Sequence, residues 1–158
     1  MKVIRGKRRQ RTAGNRSRGG RSEAGGKLDA DDAVIALLIA AMAASGHVSA
    51  EEAARAHDII WSMRRFRNRS GEVVGRKIER MRTLVGQQGS SRAIEAAAQQ
   101  IPPRLRGGAF AVAADLVLVD GRMERLEGQF LRALAGELGL DSQAAKNIVD
   151  VMRLKNSA

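Results

Sequence analysis

Cysteine is absent from the 158 residues of the chain, and only two histidines are present. The absence of cysteine excludes disulfides, thiolate metal sites and cysteine nucleophiles, and nothing in the composition points to an oxidising compartment. We therefore expect a cytoplasmic protein. The two histidines, His47 and His57, lack the four-residue spacing that presents two ligands on one helix face, so neither a zinc site nor a histidine-based catalytic pair is expected.

Long hydrophobic runs are absent as well. The longest, residues 33–44, has 12 residues and follows three aspartates. Because a membrane-spanning helix needs about 20 apolar residues, this run predicts a buried helix, and the protein is not expected to be transmembrane. No pairing of a nucleophile with a base is evident, so the sequence favours a binding module over an enzyme.

Positive charge is concentrated at the N-terminus. Residues 1–27 hold ten of the 28 Lys and Arg but one of the 17 acids, which gives this segment a net charge of +9 and leaves +2 for the rest. The segment is rich in Arg, Gly and Ser and has almost no apolar residue after Ile4. It therefore predicts a disordered basic tail, followed by a single helical domain over residues 28–158.

Three interpretations of the basic tail stay open, and only the first gives it a function. Its arginines are candidates for contact with nucleic-acid phosphates or anionic lipid. No aromatic residue interleaves with them, so base stacking is not supported. The alternatives are a solvated tail without function and a start codon assigned too far upstream. The candidate contact residues are Arg8, Arg9, Arg11, Arg16, Arg18 and Arg21.

Apolar residues at helical spacing after residue 28 predict an all-α domain. Gly46 and Gly139 are expected to end helices, and Ser49 with Glu52 forms a capping-box pattern that begins one. Ser91 is predicted to cap another helix. The seven predicted helices cover about residues 31–44, 50–65, 71–85, 91–101, 103–119, 125–138 and 142–154.

One helix, glycine turn, helix unit is repeated. Residues 42–60 align with residues 117–135 at a constant offset of 75 positions. The shared pattern predicts two similar helical hairpins that face each other in one bundle. The aligned pairs are Ser45 with Asp120, Gly46 with Gly121, Val48 with Met123 and Glu52 with Glu127.

The second copy of the repeat shares its acid, glycine, apolar residue and final Glu with the back half of an EF-hand loop. The front half does not fit, because the first and third ligand positions would be Leu116 and Leu118, and Ala41 and Ala43 in the first copy. None of these side chains has an oxygen to offer Ca²⁺. An EF-hand is therefore not expected.

The second copy resembles a known family. An apolar helix that ends in Asp120 and Gly121, followed by Met123, Glu127 and a helix that ends at Gly139, is similar to the TerB tellurite-resistance family and its relatives, which include the N-terminal domain of the DjlA co-chaperone. The resemblance covers about residues 30–155. In the first copy, Ser45 stands where family members often carry Asp.

This resemblance implies a TerB-like bundle of about seven helices with two pseudo-repeated hairpins. It also implies a module of bacterial stress-response or tellurite-resistance systems that binds a divalent metal ion and works with a protein partner at the inner face of the membrane. The acids that match the implied metal site are Asp120, Glu127, Glu124 and Asp115.

Two interpretations of the acids in the second copy stay open. In the first, Asp120 and Glu127 serve as capping residues and nothing more. In the second, their carboxylates also hold a divalent cation. Asp115 lies about 140° around a helix from Asp120, so joint ligation would require a bent helix or a further acid from elsewhere.

Overall fold

The computed structural model describes residues 27–44, 46 and 48–157. The six tail arginines named above, the rest of residues 1–26, Ser45 and His47 lie outside the described residues. The described part of the chain forms seven α-helices and no strand, as predicted from the sequence. They are α1 (Ala30–Met42), α2 (Ala50–Ser62), α3 (Gly71–Gln88), α4 (Ser90–Ala98), α5 (Pro103–Val117), α6 (Arg125–Glu137) and α7 (Ser142–Asn156).

The first helix lies at the centre of the bundle, since α1 contacts α2, α3, α4 and α5. Every residue from Asp31 to Ala41 is buried. A helix with apolar residues on all sides is stable only where neighbours cover all of it, and this position meets that requirement. Residues 33–41 of the apolar run are therefore core, and Met42 and Ala44 pack against it while partly buried. No helix in the described part of the chain combines the length and the apolar character needed to span a bilayer.

The N-terminus of α1 is held by ionic contacts. Asp29 caps the helix and accepts hydrogen bonds from the Asp31 and Asp32 N–H groups at 2.9 and 2.7 Å. Asp32, 1% exposed, accepts from Lys77 Nζ at 2.8 Å and Arg80 Nη1 at 3.1 Å. Because an unpaired buried carboxylate would be costly, these two cations of α3 make the burial of Asp32 possible.

The other central helix is α5, which contacts α1, α2, α6 and α7.

α1 with α2, and α5 with α6, form the two hairpins predicted from the repeat. Each hairpin turn contains a glycine in the left-handed region, with φ of +85° at Gly46 and +75° at Gly121. Residues with a Cβ rarely adopt this conformation, so the two turns use glycine for the same reason.

Several predicted helix boundaries differ from the structure by one to three residues, and two of them have a clear cause. α2 ends at Ser62 rather than Arg65, because Met63 is extended, with ψ of 130°, and the turn that follows places Phe66 in the core. Ser91 does not cap α4, which begins at Ser90 after Gly89. Gly89 has φ of +80° and ends α3 as well, so one glycine joins the two helices without a side-chain cap.

Candidate functional site

An acidic pocket lies where the two hairpins meet. Its lining comes from the start of α2, the end of α5, the turn after α5 and the start of α6. We call it the acidic pocket; its residues are Ser49, Glu51, Glu52, Val117, Val119, Asp120, Glu124 and Glu127. Five of these eight residues are acids, and neither Lys nor Arg is among them.

The two hairpins contribute matching glutamates to the acidic pocket. Glu52 Oε2 accepts a hydrogen bond from the Ser49 N–H at 2.7 Å, and Glu127 Oε2 accepts from the Glu124 N–H at 2.7 Å. Each glutamate is only 7% exposed. These bonds satisfy the backbone donors at the starts of α2 and α6. The capping interpretation of Glu127 is therefore correct for one oxygen of its carboxylate, and within the described residues the other oxygen accepts no hydrogen bond.

Negative charge accumulates around Glu127. Burial raises the pKa of Glu127 above its ordinary value of 4.5, the hydrogen bond from the Glu124 N–H acts in the opposite direction, and the charges of Glu124, Asp120 and Glu52 raise the pKa further. The charge of Glu52 belongs to the other hairpin. The two halves of the repeat therefore interact electrostatically across the acidic pocket.

Asp120 belongs to the turn between α5 and α6. Its Oδ1 accepts a hydrogen bond from the Arg122 N–H at 2.9 Å, two residues ahead, and the residue is exposed. This local bond fixes the turn before Gly121. Asp120 and Glu124 thus form the solvent-facing rim of the acidic pocket, whereas Glu52 and Glu127 form its buried part.

Asp115 does not line the acidic pocket. Its carboxylate accepts hydrogen bonds from Arg55 Nη2 at 2.8 and 3.0 Å, Lys155 Nζ at 2.7 Å and Asn156 Nδ2 at 3.0 Å. Burial raises the pKa of Asp115, but the bonds from Lys155, Arg55 and Asn156 outweigh it and hold the pKa below its ordinary value of 3.8. Asp115 joins α2, α5 and α7, and its charge is already neutralised by protein cations.

Glu51 and Glu52 both line the acidic pocket, although the sequence predicts neither as a site residue and Glu52 only as a capping residue. The signal that could have identified it is the alignment of Glu52 with Glu127 at the offset of 75 positions. An acid that faces its own repeat equivalent contributes to the same site as that equivalent.

As the side chains lie, no group of three or more His, Asp or Glu residues within the described ranges is arranged to hold a metal ion directly. The carboxylates of the acidic pocket fit a divalent cation by charge and by donor type, since hard cations prefer carboxylate oxygens. The donors do not converge on one point. A cation would therefore bind after rotation of Asp120 and Glu124 or through coordinated water, as is common for Mg²⁺.

Comparison with known proteins gives one match. The family model described as "Tellurite resistance protein TerB" matches residues 31–150. The match covers well over half of the chain and includes both hairpin turns and every residue that lines the acidic pocket. No curated protein and no solved structure matches the chain.

Proposed function

Because the chain belongs to the TerB family, we propose that it is a non-enzymatic module that binds a divalent cation in the acidic pocket and presents the surrounding surface to a protein partner. In this proposal it acts in a bacterial stress response or in tellurite resistance, in the cytoplasm or at the inner face of the membrane. The absence of cysteine and the unsuitable spacing of the two histidines support a binding role over catalysis.

The observation that carries the proposal is the composition of the acidic pocket. Its five carboxylates have no Lys or Arg among the lining residues. Elsewhere in the described residues, the buried acids Asp31, Asp32 and Asp115 are bonded to Arg or Lys side chains. A carboxylate cluster without protein cations is electrostatically unfavourable unless a mobile cation supplies the compensating charge.

The donor set defines the class of cation. All of the candidate ligands are carboxylate or hydroxyl oxygens, without sulfur or imidazole. Oxygen donors of this kind suit Mg²⁺, Ca²⁺ and Mn²⁺ rather than Zn²⁺. Glu52 and Glu127 would hold the ion through the oxygens not used in capping, and Asp120 and Glu124 would approach it from the rim.

Two exposed apolar side chains beside the acidic pocket support the proposal of a protein partner. Val48, 55% exposed, precedes the pocket residue Ser49, and Leu126, 52% exposed, precedes Glu127. Protein interfaces combine apolar contacts with a surrounding polar rim, so exposed apolar side chains next to polar groups suit contact with a partner. A cation that neutralised the pocket would reduce the cost of covering these residues with a partner.

Calorimetric titration with Mg²⁺, Ca²⁺ and Mn²⁺ tests the cation part of the proposal. We expect saturable heat with the wild-type chain and its loss in the Asp120→Ala variant and in the double variant Glu52→Gln/Glu127→Gln. The matched control is Glu95→Gln/Glu137→Gln, which removes two exposed acids outside the acidic pocket and should bind as the wild type does. The absence of heat with the wild type would remove the cation from the proposal.

A further inference from the structure

The first half of α2, residues 50–56, is weakly anchored in the bundle. Four of the 13 residues of α2 are buried, namely Glu52, Ala56, Ile59 and Ile60. The two large apolar side chains, Ile59 and Ile60, lie in the second half of the helix. In the first half, Ala56 is the one buried apolar residue, beside the acid Glu52. Because hydrophobic stabilisation rises with the apolar area buried, packing holds this half of α2 only weakly.

The opposite wall of the acidic pocket is more firmly anchored. Behind Glu127, α6 buries Phe130, Leu131 and Leu134. These large side chains lie where α6 contacts α4 and α5. Of the two walls, the first half of α2 is therefore the one that moves at the lower cost.

One ion pair fastens the first half of α2 to α5. Arg55 Nη2 donates to Oδ1 and Oδ2 of Asp115 at 3.0 and 2.8 Å. Arg55 Nε is buried and has no hydrogen-bond partner in the part of the chain that the structure describes. A buried donor without an acceptor is costly, so this ion pair holds α2 less firmly than a fully satisfied one would.

Like charges oppose this ion pair. Glu51 and Glu52 at the start of α2 line the same pocket as Asp120, Glu124 and Glu127. Glu52 and Glu127 are each 7% exposed, so water screens their repulsion less than it would at the surface. Burial is the largest cause of the raised pKa of Glu127, and the charge of Glu52 adds to it. Without a compensating cation, repulsion therefore pushes the first half of α2 away from α6.

We infer that the first half of α2 is a cation-dependent element, which packs against α5 when a divalent cation links Glu52 to Glu127 and separates from α5 more often when none is bound. The inference rests on the proposed cation site and adds how binding there changes the protein. A cation that contacts both glutamates loses one of them whenever this half of α2 opens. It therefore binds the closed arrangement alone and shifts the population toward it.

This dependence extends to the surface that we assign to a protein partner. Val48, one of the two exposed apolar residues beside the acidic pocket, immediately precedes Ser49, the capping residue of α2. Leu126, the other one, belongs to α6. The position of the first half of α2 therefore sets the distance between the two apolar side chains. By fixing that distance, the cation regulates the partner surface as well as neutralising its charge.

Amide hydrogen exchange measured by NMR tests the inference, with the full chain and whichever of Mg²⁺ and Ca²⁺ gives the larger heat in calorimetry. Without cation, we expect the amides of residues 53–56 to exchange faster than those of residues 130–134 in α6. A cation suppresses any opening that breaks its site by a factor that grows with its concentration relative to Kd. At about 100 times its Kd, it should slow the exchange of residues 53–56 by about 100-fold.

Two variants separate the repulsion from the ion pair. Glu52→Gln/Glu127→Gln removes the repulsion, so residues 53–56 should exchange more slowly than in the wild type without cation, and added cation should have no effect. Arg55→Gln removes the ion pair with α5 and should speed their exchange. The matched control Glu95→Gln/Glu137→Gln removes two exposed acids outside the acidic pocket and should behave as the wild type does.

The calorimetric and exchange measurements distinguish failure of the inference from failure of the cation site. Heat in the wild type without slower exchange of residues 53–56 would overturn the inference and leave the cation site in place. Exchange of these residues no faster than that of α6 without cation, or no slower in Glu52→Gln/Glu127→Gln than in the wild type, would also overturn it. No heat with the wild type would remove the cation site and the inference together.

Discussion

At the scale of single residues, Asp115 and Glu127 show how position determines the chemistry of a buried acid. Arg55, Lys155 and Asn156 surround Asp115 and lower its pKa. Glu127 is buried among other acids, and both the burial and the charges of these acids raise its pKa. In the sequence, both are acids near the same turn. Only the packing of α2 and α7 shows that the charge of Asp115 is neutralised and that of Glu127 is not.

Asp115→Asn should destabilise the fold. The folded-state pKa of Asp115 lies below its ordinary value of 3.8, so the stability it contributes is present above that value and is lost as the pH falls through the lower folded-state pKa. We expect a loss of about 2 kcal/mol in the free energy of unfolding at pH 7, because hydrogen bonds to a charged group are removed. Urea unfolding monitored by circular dichroism measures it.

The exposed pair between Asp150 and Lys146 provides the control for Asp115. Asp150→Asn removes the same charge from a solvated helix face and should leave stability almost unchanged. The difference in the free energy of unfolding between the wild type and Asp115→Asn should become smaller at acidic pH. Equal stability of the two proteins at pH 7 would contradict the role assigned to the contacts of Asp115.

Glu127→Gln should have the opposite effect. The folded-state pKa of Glu127 lies above 4.5, so ionisation costs stability as the pH rises through the interval between 4.5 and the folded-state pKa. Gln keeps an oxygen for the Glu124 N–H and removes the charge. We expect the variant to be at least as stable as the wild type at pH 7, whereas Glu127→Ala, which removes the acceptor, should lose about 1 kcal/mol.

Urea unfolding at pH 7 without added cation measures the effect of the Glu127 variants. The raised pKa also predicts that cation affinity falls as the pH is lowered, since a protonated carboxyl does not ligate. A Glu127→Gln protein less stable than the wild type at pH 7 would show that the negative charge of Glu127 supports the fold.

At the scale of the elements, local chemistry predicted most of the helix starts and turns. The capping pattern of Ser49 and Glu52 places the start of α2 correctly, and the glycines at 46, 121 and 139 mark turns with positive φ. The error at the end of α2 arises from distant contacts. α2 ends three residues early because Phe66 is drawn into the core and Arg65 bonds to Asp31, 34 positions away, and no local pattern contains that information.

Gly121→Ala tests the turn of the second hairpin. With φ of +75° at Gly121, an Ala there should destabilise the protein by about 1 to 2 kcal/mol because of the left-handed conformation. A Cβ would meet only Asn156 O, at 3.6 Å, so steric overlap is not the cause. The measurement is the shift in the urea unfolding midpoint.

Gly75→Ala is the matched control for Gly121→Ala. Gly75 lies inside α3, and a Cβ there would meet nothing within 4 Å. Because Ala has the higher helix propensity, we expect a gain of up to about 1 kcal/mol. A gain in both variants would show that the positive φ is not required for the turn.

At the scale of the whole molecule, the contact between α1 and α5 at the centre brings the two hairpins together. The repeat predicted that the hairpins face each other, and the sequence placed Asp120, Glu124 and Glu127 in one site. The sequence could not assign Glu52 to this site or exclude Asp115 from it, because both outcomes depend on how α2 and α7 pack against α5.

Paramagnetic broadening by Mn²⁺ in the ¹H–¹⁵N NMR spectrum tests the central claim most directly, since it locates the cation as well as detecting it. We predict that low Mn²⁺ concentrations broaden the backbone amide signals of Glu52 and Glu127 first, and that Glu52→Gln/Glu127→Gln abolishes this effect. The amides of Asp32 and Asp115, whose carboxylates are paired with Lys and Arg, should be affected less. Strongest broadening at Asp32 or Asp115, or no selective broadening at the acidic pocket, would contradict a cation site between the two hairpins.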